Sequence, residues 1–159
     1  MSAAKYSKYV ITELKPDSRD LTLQPNADAD AMAASMRSHT KLLSLDDRVL
    51  SGAFYVESVW IWPGEDLYPE TAEPNAHAHE YNEVITFFGT DYSNPNALCG
   101  EIEIWLEDEK FILTRSTMIF VPKGMNHCPL VIRKVERPIF HFAAGTGGMY
   151  VQKNVRPEQ

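Results

Sequence analysis

The sequence predicts an all-β domain, a sandwich or barrel of short strands, and three observations carry that prediction. Ten Pro and eight Gly punctuate a chain of 159 residues. Between them run segments rich in Val, Ile, Phe, Tyr and Trp, the residues that fit a pleated, half-buried surface. From residue 53 onward these segments recur at short spacing, separated by turn signals and without the helices that parallel crossovers need.

Taken in order, YSKYVITEL at 6–14 predicts an opening strand, and KPDSRD after it a turn. Residues 21–50 are less legible. ADADAMAASMRSHTKLLSL has helix-forming composition without a clean apolar stripe, which predicts one short helix at most. AFYVESVWIW at 53–62 reads as a strand and PGEDLYPETAEPNA as a Pro-rich loop. Further strands are predicted at 78–88, 100–107, 110–115, 117–121, 129–133 and 138–145. In GEIEIWLE, the alternation of Glu101, Glu103 and Trp105 with Ile102, Ile104 and Leu106 gives one wet and one dry face. NVRPEQ reads as a frayed tail. The organisation is then an N-terminal strand and extension over 1–50, a barrel over 51–152 and a tail over 153–159, a length that suits one hydrophobic core.

The formal net charge of -7 argues against a nucleic-acid binder, which neutralises phosphates with clustered Lys and Arg. MSAAKYSKYV lacks the apolar core of a secretory signal, and no stretch approaches the ~18 apolar residues that span a bilayer, so a soluble cytoplasmic protein is expected. The two cysteines, Cys99 and Cys128, have no metal-type pair spacing and are expected as thiols, Cys128 as a small buried one. No Gly-rich phosphate loop and no recognisable Ser-His-Asp context occurs, which removes the nucleotide-binding and serine-hydrolase classes.

What remains is metal chemistry. In His77-Ala78-His79 the two imidazoles point to one face of a strand. Glu83 lies an even number of residues on, sharing that face if the strand continues or reaching it from the next strand if a turn intervenes. His127 follows the turn formed by Pro122, Lys123 and Gly124. Three imidazoles with one carboxylate suit a divalent iron, manganese, nickel, copper or zinc ion, and are too nitrogen-rich for calcium or magnesium.

HAHEYNEVITFFG at 77–89 resembles the first cupin motif, HxH followed by Glu and then Gly, and PKGMNH at 122–127 resembles the second, PxGxxH. Thr71, Ser116 and Val131 stand where those motifs commonly carry Gly, Gly and Asn; none is a ligand position. The resemblance spans about residues 53–145 and implies a double-stranded β-helix, the jelly-roll cupin barrel, with a short N-terminal extension. It implies His77, His79, Glu83 and His127 as ligands of one divalent transition metal, iron first. It also implies a homodimer formed through N-terminal strands, for which residues 6–14 are available.

Around the metal, His141 is the candidate fifth ligand or acid/base group, with Phe140 and Phe142 pointing away from it. Tyr81 shares parity with the His pair and is the candidate proton donor or acceptor. Glu80 has the opposite parity and is expected in solvent, as is Lys123. Arg133 is expected to close a barrel end or bind an anionic substrate. His39 receives no role, and Trp60, Trp62 and Trp105 are expected in the core or an interface. The function implied is a metal-dependent enzyme acting on a small polar organic molecule, a dioxygenase first. Lewis-acid isomerisation, decarboxylation or elimination is the second reading, and a non-catalytic ligand-binding barrel the third.

Overall fold

In the computed structural model the described residues are 5–14, 38–65, 75–151 and 153–154. They build eleven strands: β1 His39–Leu45, β2 Tyr55–Ile61, β3 Gly64–Glu65, β4 His77–Ala78, β5 Glu83–Gly89, β6 Ala97–Leu106, β7 Glu109–Arg115, β8 Thr117–Val121, β9 His127–Val135, β10 Ile139–Gly145 and β11 Lys153–Asn154. One sheet runs β1-β2-β10-β5-β8 and the other β11-β4-β9-β6-β7, with β3 on β9. Every pairing is antiparallel. Among the described residues no helix is long and apolar enough to cross a membrane.

Alternation sets the inner face. On β2 Tyr55, Glu57, Val59 and Ile61 are buried while the residues between them are half-buried, the pattern of a strand with one face turned inward. Register then stacks the rows of the five-stranded sheet: Ile61 beside Ile139, Val59 beside His141, Glu57 beside Ala143 and Tyr55 beside Gly145, with β5 continuing each row. The rows therefore grade from apolar to polar. Val59, Ile61, Phe87, Leu98, Ile102, Val135 and Ile139 belong to the buried core, where each large side chain contributes about 1.5–3 kcal/mol. Tyr55, Glu57 and Glu83 lie toward the other end.

The N-terminal part departs from its expected structure. Residues 6–14 are not a strand within the protomer; Ser7–Tyr9 form a single 3₁₀ turn with no buried residue. The C-terminal part of the expected helix, His39–Leu45, is instead β1, aligned along β2. Pairing along β2 decides its conformation, so tertiary contact overrides a helix-forming composition. The rest of that segment lies outside the described residues. The barrel thus takes strands from both sides of 51–152, since Lys153–Asn154 pairs with β4.

Candidate metal centre

The strand expected at 78–88 is broken. β4 ends at Ala78, residues 79–82 turn, and Glu83 opens β5 in the other sheet. Of the two routes to a shared face, the chain uses the one through a turn. His77 is register partner of His127, which places those two imidazoles side by side on β4 and β9.

The two motifs are stitched by the Pro-Lys-Gly turn. Lys123 N–H donates to Asn82 Oδ1 at 2.9 Å, and Gly124 N–H donates to the His79 carbonyl at 2.9 Å. Gly124 has φ +82°, a left-handed conformation that glycine adopts without a Cβ penalty. The loop bearing His79 is thereby fixed relative to the start of β9.

His77, His79, Glu83 and His127 are all buried. Glu83 Oε2 lies 3.4 Å from His79 Nε2 and 3.2 Å from His127 Nε2. Those three residues offer ligand atoms within 4.8 Å of one another, as do His77, His127 and Cys128. Metal–ligand bonds of about 2.0–2.2 Å at octahedral or tetrahedral angles set neighbouring donors roughly 3.0–3.5 Å apart, which matches the Glu83 distances.

Ring orientation makes the same point. His77 Nδ1 donates to the Asn75 carbonyl at 2.7 Å, His79 Nδ1 to Val151 at 2.7 Å and His127 Nδ1 to Met125 at 3.3 Å. A carbonyl only accepts, so each Nδ1 carries the proton and a neutral ring turns its Nε2 lone pair inward. Nδ1 on a backbone acceptor with Nε2 left for the ion is the usual support of a metal-binding histidine. His79 Nε2 and Glu83 Oε2 are buried without an aligned hydrogen bond. A cation satisfies both, and the residues fit a divalent metal.

Charge follows burial. Burial, then the neighbouring His127 and His79 rings, depresses His77 to about 4 against the Asn75 carbonyl. For His79 burial also pulls down, but Glu83 and the Val151 carbonyl outweigh it and raise the pKa. Burial would raise the Glu83 carboxyl; His127 and His79 overcome that and hold it at about 2.

Two motifs, read apart in the sequence, thus meet around His127 inside a barrel of two antiparallel sheets. The fold is that of a cupin. Solved structures similar to this cupin fold include a cupin-2 domain protein of Rhodospirillum rubrum, 8% identical over 76% of this chain and 67% of that one, TM-score 0.47. An oxalate decarboxylase of Lactobacillus farciminis is 13% identical over 84% of this chain and 33% of its own, TM-score 0.48. A DMSP lyase is 15% identical over 66% and 45%, TM-score 0.40. This chain spans about half the length of the lyase and a third of the decarboxylase. Likenesses this distant say nothing of activity. No protein-family model and no curated protein sequence matches the chain.

Beside the cluster lies a cavity of about 70 Å³, lined by His77, Glu83 and His127 and by Tyr55, Glu57 and His141, among others. A water needs roughly 10–15 Å³ by this measure, so the space suits a molecule of a few heavy atoms. His141 Nδ1 donates to the Thr86 carbonyl at 2.7 Å and its ring stacks on Phe87 at 4.7 Å. Burial depresses its pKa, so a neutral ring keeps Nε2 as an acceptor.

Tyr81 is not brought to that cavity. Its ring stacks on His79 with centroids 4.8 Å apart and faces an outer groove with Gly147 and Gly148. A Cβ at Gly145 or Gly147 would overlap the Tyr81 ring, so both glycines are required by this close approach. The parity argument placed Tyr81 with the histidines, and the turn after Ala78 breaks the parity. The Arg133 guanidinium pairs with Glu103 at 3.4 Å. Glu103, expected on a wet face, is buried under Trp105, Lys110 and Arg133. Glu80 is exposed and pairs with Lys123 at 3.1 Å.

Sequence reasoning missed Tyr55, Glu57, Lys41, Tyr150 and the approach of Cys128 to the cluster. Tyr150 OH is 3.2 Å from His77 Nε2. Lys41 Nζ is 2.8 Å from Glu57 Oε2, both side chains nearly fully buried. The signal for Glu57 was present: it shares strand parity with Tyr55, Val59 and Ile61, a charge on an otherwise apolar face.

Proposed function

We propose that this cupin is a metal-dependent enzyme that binds one divalent transition metal, iron first, through His77, His79, Glu83 and His127, and acts as a dioxygenase on a small polar organic molecule. One observation carries the reading: inward Nε2 lone pairs from His79 and His127 converge on Glu83 beside a small cavity, each ring fixed by its Nδ1–H. Two histidines and a carboxylate are the ligand set of many non-haem iron oxygenases, and His77 adds a fourth donor.

A metal bound there supplies open positions for an oxygen-donor substrate and electron transfer toward dioxygen. The chain supplies the rest. Glu83 offsets part of the metal charge, the carbonyls of Asn75, Val151 and Met125 hold the imidazoles in register, and Ile85, Ile104 and Leu130 form the apolar part of the cavity wall and limit water. His141 can take or return a proton through Nε2.

A second reading, Lewis-acid isomerisation, decarboxylation or elimination, is favoured by proton-transfer groups in the cavity, Glu57 and His141. Metal analysis of purified protein followed by oxygen-uptake assays on iron-loaded samples separates them. Uptake above the buffer rate supports the dioxygenase; metal retention with substrate turnover and no uptake supports the second reading; no retained metal defeats both.

A further inference from the structure

The cavity has a second polar wall that the metal reading does not use. Tyr55 and Glu57 sit two residues apart on β2, both facing inward, on the sheet opposite the strands bearing His77 and His127. Tyr55 is 3% exposed and Glu57 4%. Burial, and then the Glu57 carboxylate beside it, raise the pKa of the Tyr55 hydroxyl, which makes no aligned hydrogen bond among the described residues. A buried hydroxyl without an aligned partner is destabilising, so its position asks for an occupant of the cavity. Tyr55 packs on Tyr150 with centroids 5.1 Å apart, and Tyr150 reaches His77, so this wall adjoins the histidine cluster.

The chemistry of the pair selects one group. The Tyr55 hydroxyl donates, and the Glu57 carboxylate, holding Lys41 with one oxygen, keeps lone pairs that accept. An alcohol accepts from one and donates to the other, and so replaces a water held in the same way. An ammonium cannot accept from Tyr55, and a carboxylate is repelled by Glu57. Charge places the ligand's other end: Lys41 offsets Glu57, and a divalent ion exceeds the single charge of Glu83, so an anionic oxygen group is favoured on the metal side.

We propose that Tyr55 and Glu57 form a hydroxyl-recognition subsite, and that the ligand is a small hydroxy acid whose alcohol sits on this pair and whose carboxylate faces the histidine cluster. The carboxylate half rests on the metal reading above; the alcohol half rests on Tyr55 and Glu57 alone. Buried polar groups discriminate strongly against an analogue that leaves them unpaired.

Calorimetry on zinc-loaded protein tests it, with glycolate, 3-hydroxypropanoate and 4-hydroxybutanoate each set against acetate, propanoate and butanoate. At least one hydroxy acid should bind about tenfold or more tighter than its deoxy partner. In Tyr55→Phe, which keeps the ring against Tyr150, that preference should vanish while deoxy-acid affinity holds. A wild type without preference, or a preference that survives Tyr55→Phe, overturns the subsite. Should Tyr55→Phe show no cooperative melt, the double variant Glu57→Leu with Lys41→Met, which leaves neither acceptor nor unpaired charge, is read instead, and an unchanged preference there overturns it equally. If zinc is not retained, the same acids are compared by thermal shift on metal-free protein. A hydroxyl preference there upholds the subsite and rejects the metal reading; its absence rejects both.

Discussion

His79 Nε2 stands 3.4 Å from Glu83 Oε2, while the other nitrogen of the same ring donates to the Val151 carbonyl at 2.7 Å. With Nδ1 carrying the proton, a neutral His79 turns a lone pair toward a carboxylate in a buried site. Two acceptors at that distance repel unless a cation lies between or beside them, and a proton or a divalent metal meets the need.

Ala at His77, His79 or His127 should therefore remove most of the bound metal and leave the barrel folded. Losing a group that only orients a ligand costs about 10–100-fold in affinity, and losing the ligand should cost at least that. Elemental analysis after dialysis reads it, with the far-ultraviolet spectrum as folding control. Metal content equal to wild type in all three variants refutes the site.

Metal affinity should fall with acidity, and the sign comes from the three shifts. In metal-free protein His79 is raised above its usual 6.5, His77 is lowered to about 4 and Glu83 to about 2. Below the pKa of His79, metal entry must displace its proton, costing about tenfold in affinity per pH unit; below about 4 the His77 proton steepens the loss. Glu83 stays ionised throughout. Folding stability has its own window: from pH 6.5 down to 4 the unfolded chain protonates His77 and the folded one does not, so this group destabilises by up to roughly 3 kcal/mol as pH falls. Chelator competition from pH 5 to 8 checks the affinity, and a flat profile contradicts it.

The strands bearing the site were legible because their pattern is local. AFYVESVWIW and PIFHFAAG are rich in aromatic and apolar residues, and the residues at 77–83 and 122–127 carry the proposed ligands at fixed spacing. What could not be read is non-local. Whether Glu83 continued the strand of His79 depended on a turn made firm by Asn82 and Gly124, which join only in the fold. β1 looked helical because His39–Leu45 gains its strand character from pairing with β2. Glu57 could be assigned to a face but not a partner, since Lys41 lies across that pairing.

Tyr81 should act through packing. Truncation to Ala removes the half-buried ring from His79, Gly145 and Gly147 and should cost less than the about 3–5 kcal/mol of a fully buried aromatic. Phe should be nearly silent, because the hydroxyl accepts only a long bond from Val151 N–H at 3.5 Å. Thermal melts and metal content of both variants decide; a Tyr81→Phe protein that folds and holds metal but loses turnover restores a proton-transfer role.

His141→Gln separates chemistry from packing at the cavity wall. The change removes the stack on Phe87 and disturbs the bond to Thr86, with an expected loss of roughly 1–3 kcal/mol. Metal content should stay within about twofold, since His141 belongs to neither ligand group. A melt showing that loss beside normal turnover would leave His141 as a core residue only.

Small exogenous ligands test whether the centre is open. If His77, His79, Glu83 and His127 supply four donors as proposed, iron or manganese, which commonly takes five or six, should let azide, or nitric oxide on the ferrous form, enter and perturb the metal spectrum. Access runs through the cavity beside His77, Glu83 and His127, whose volume of about 70 Å³ admits such molecules. A closed structural site has no position to give and resists them. Cys128 offers an internal control, because its sulfur lies near His77 and His127. Cys128→Ser should leave the azide response intact if sulfur is not a ligand, and should shift the spectrum if it is. With no response to any small ligand, and oxygen uptake at the buffer rate across catechols, diketones and hydroxy acids, the dioxygenase reading fails. A spectral response without oxygen uptake selects Lewis-acid chemistry, in which the metal polarises an oxygen of the substrate while Glu57 or His141 moves the proton.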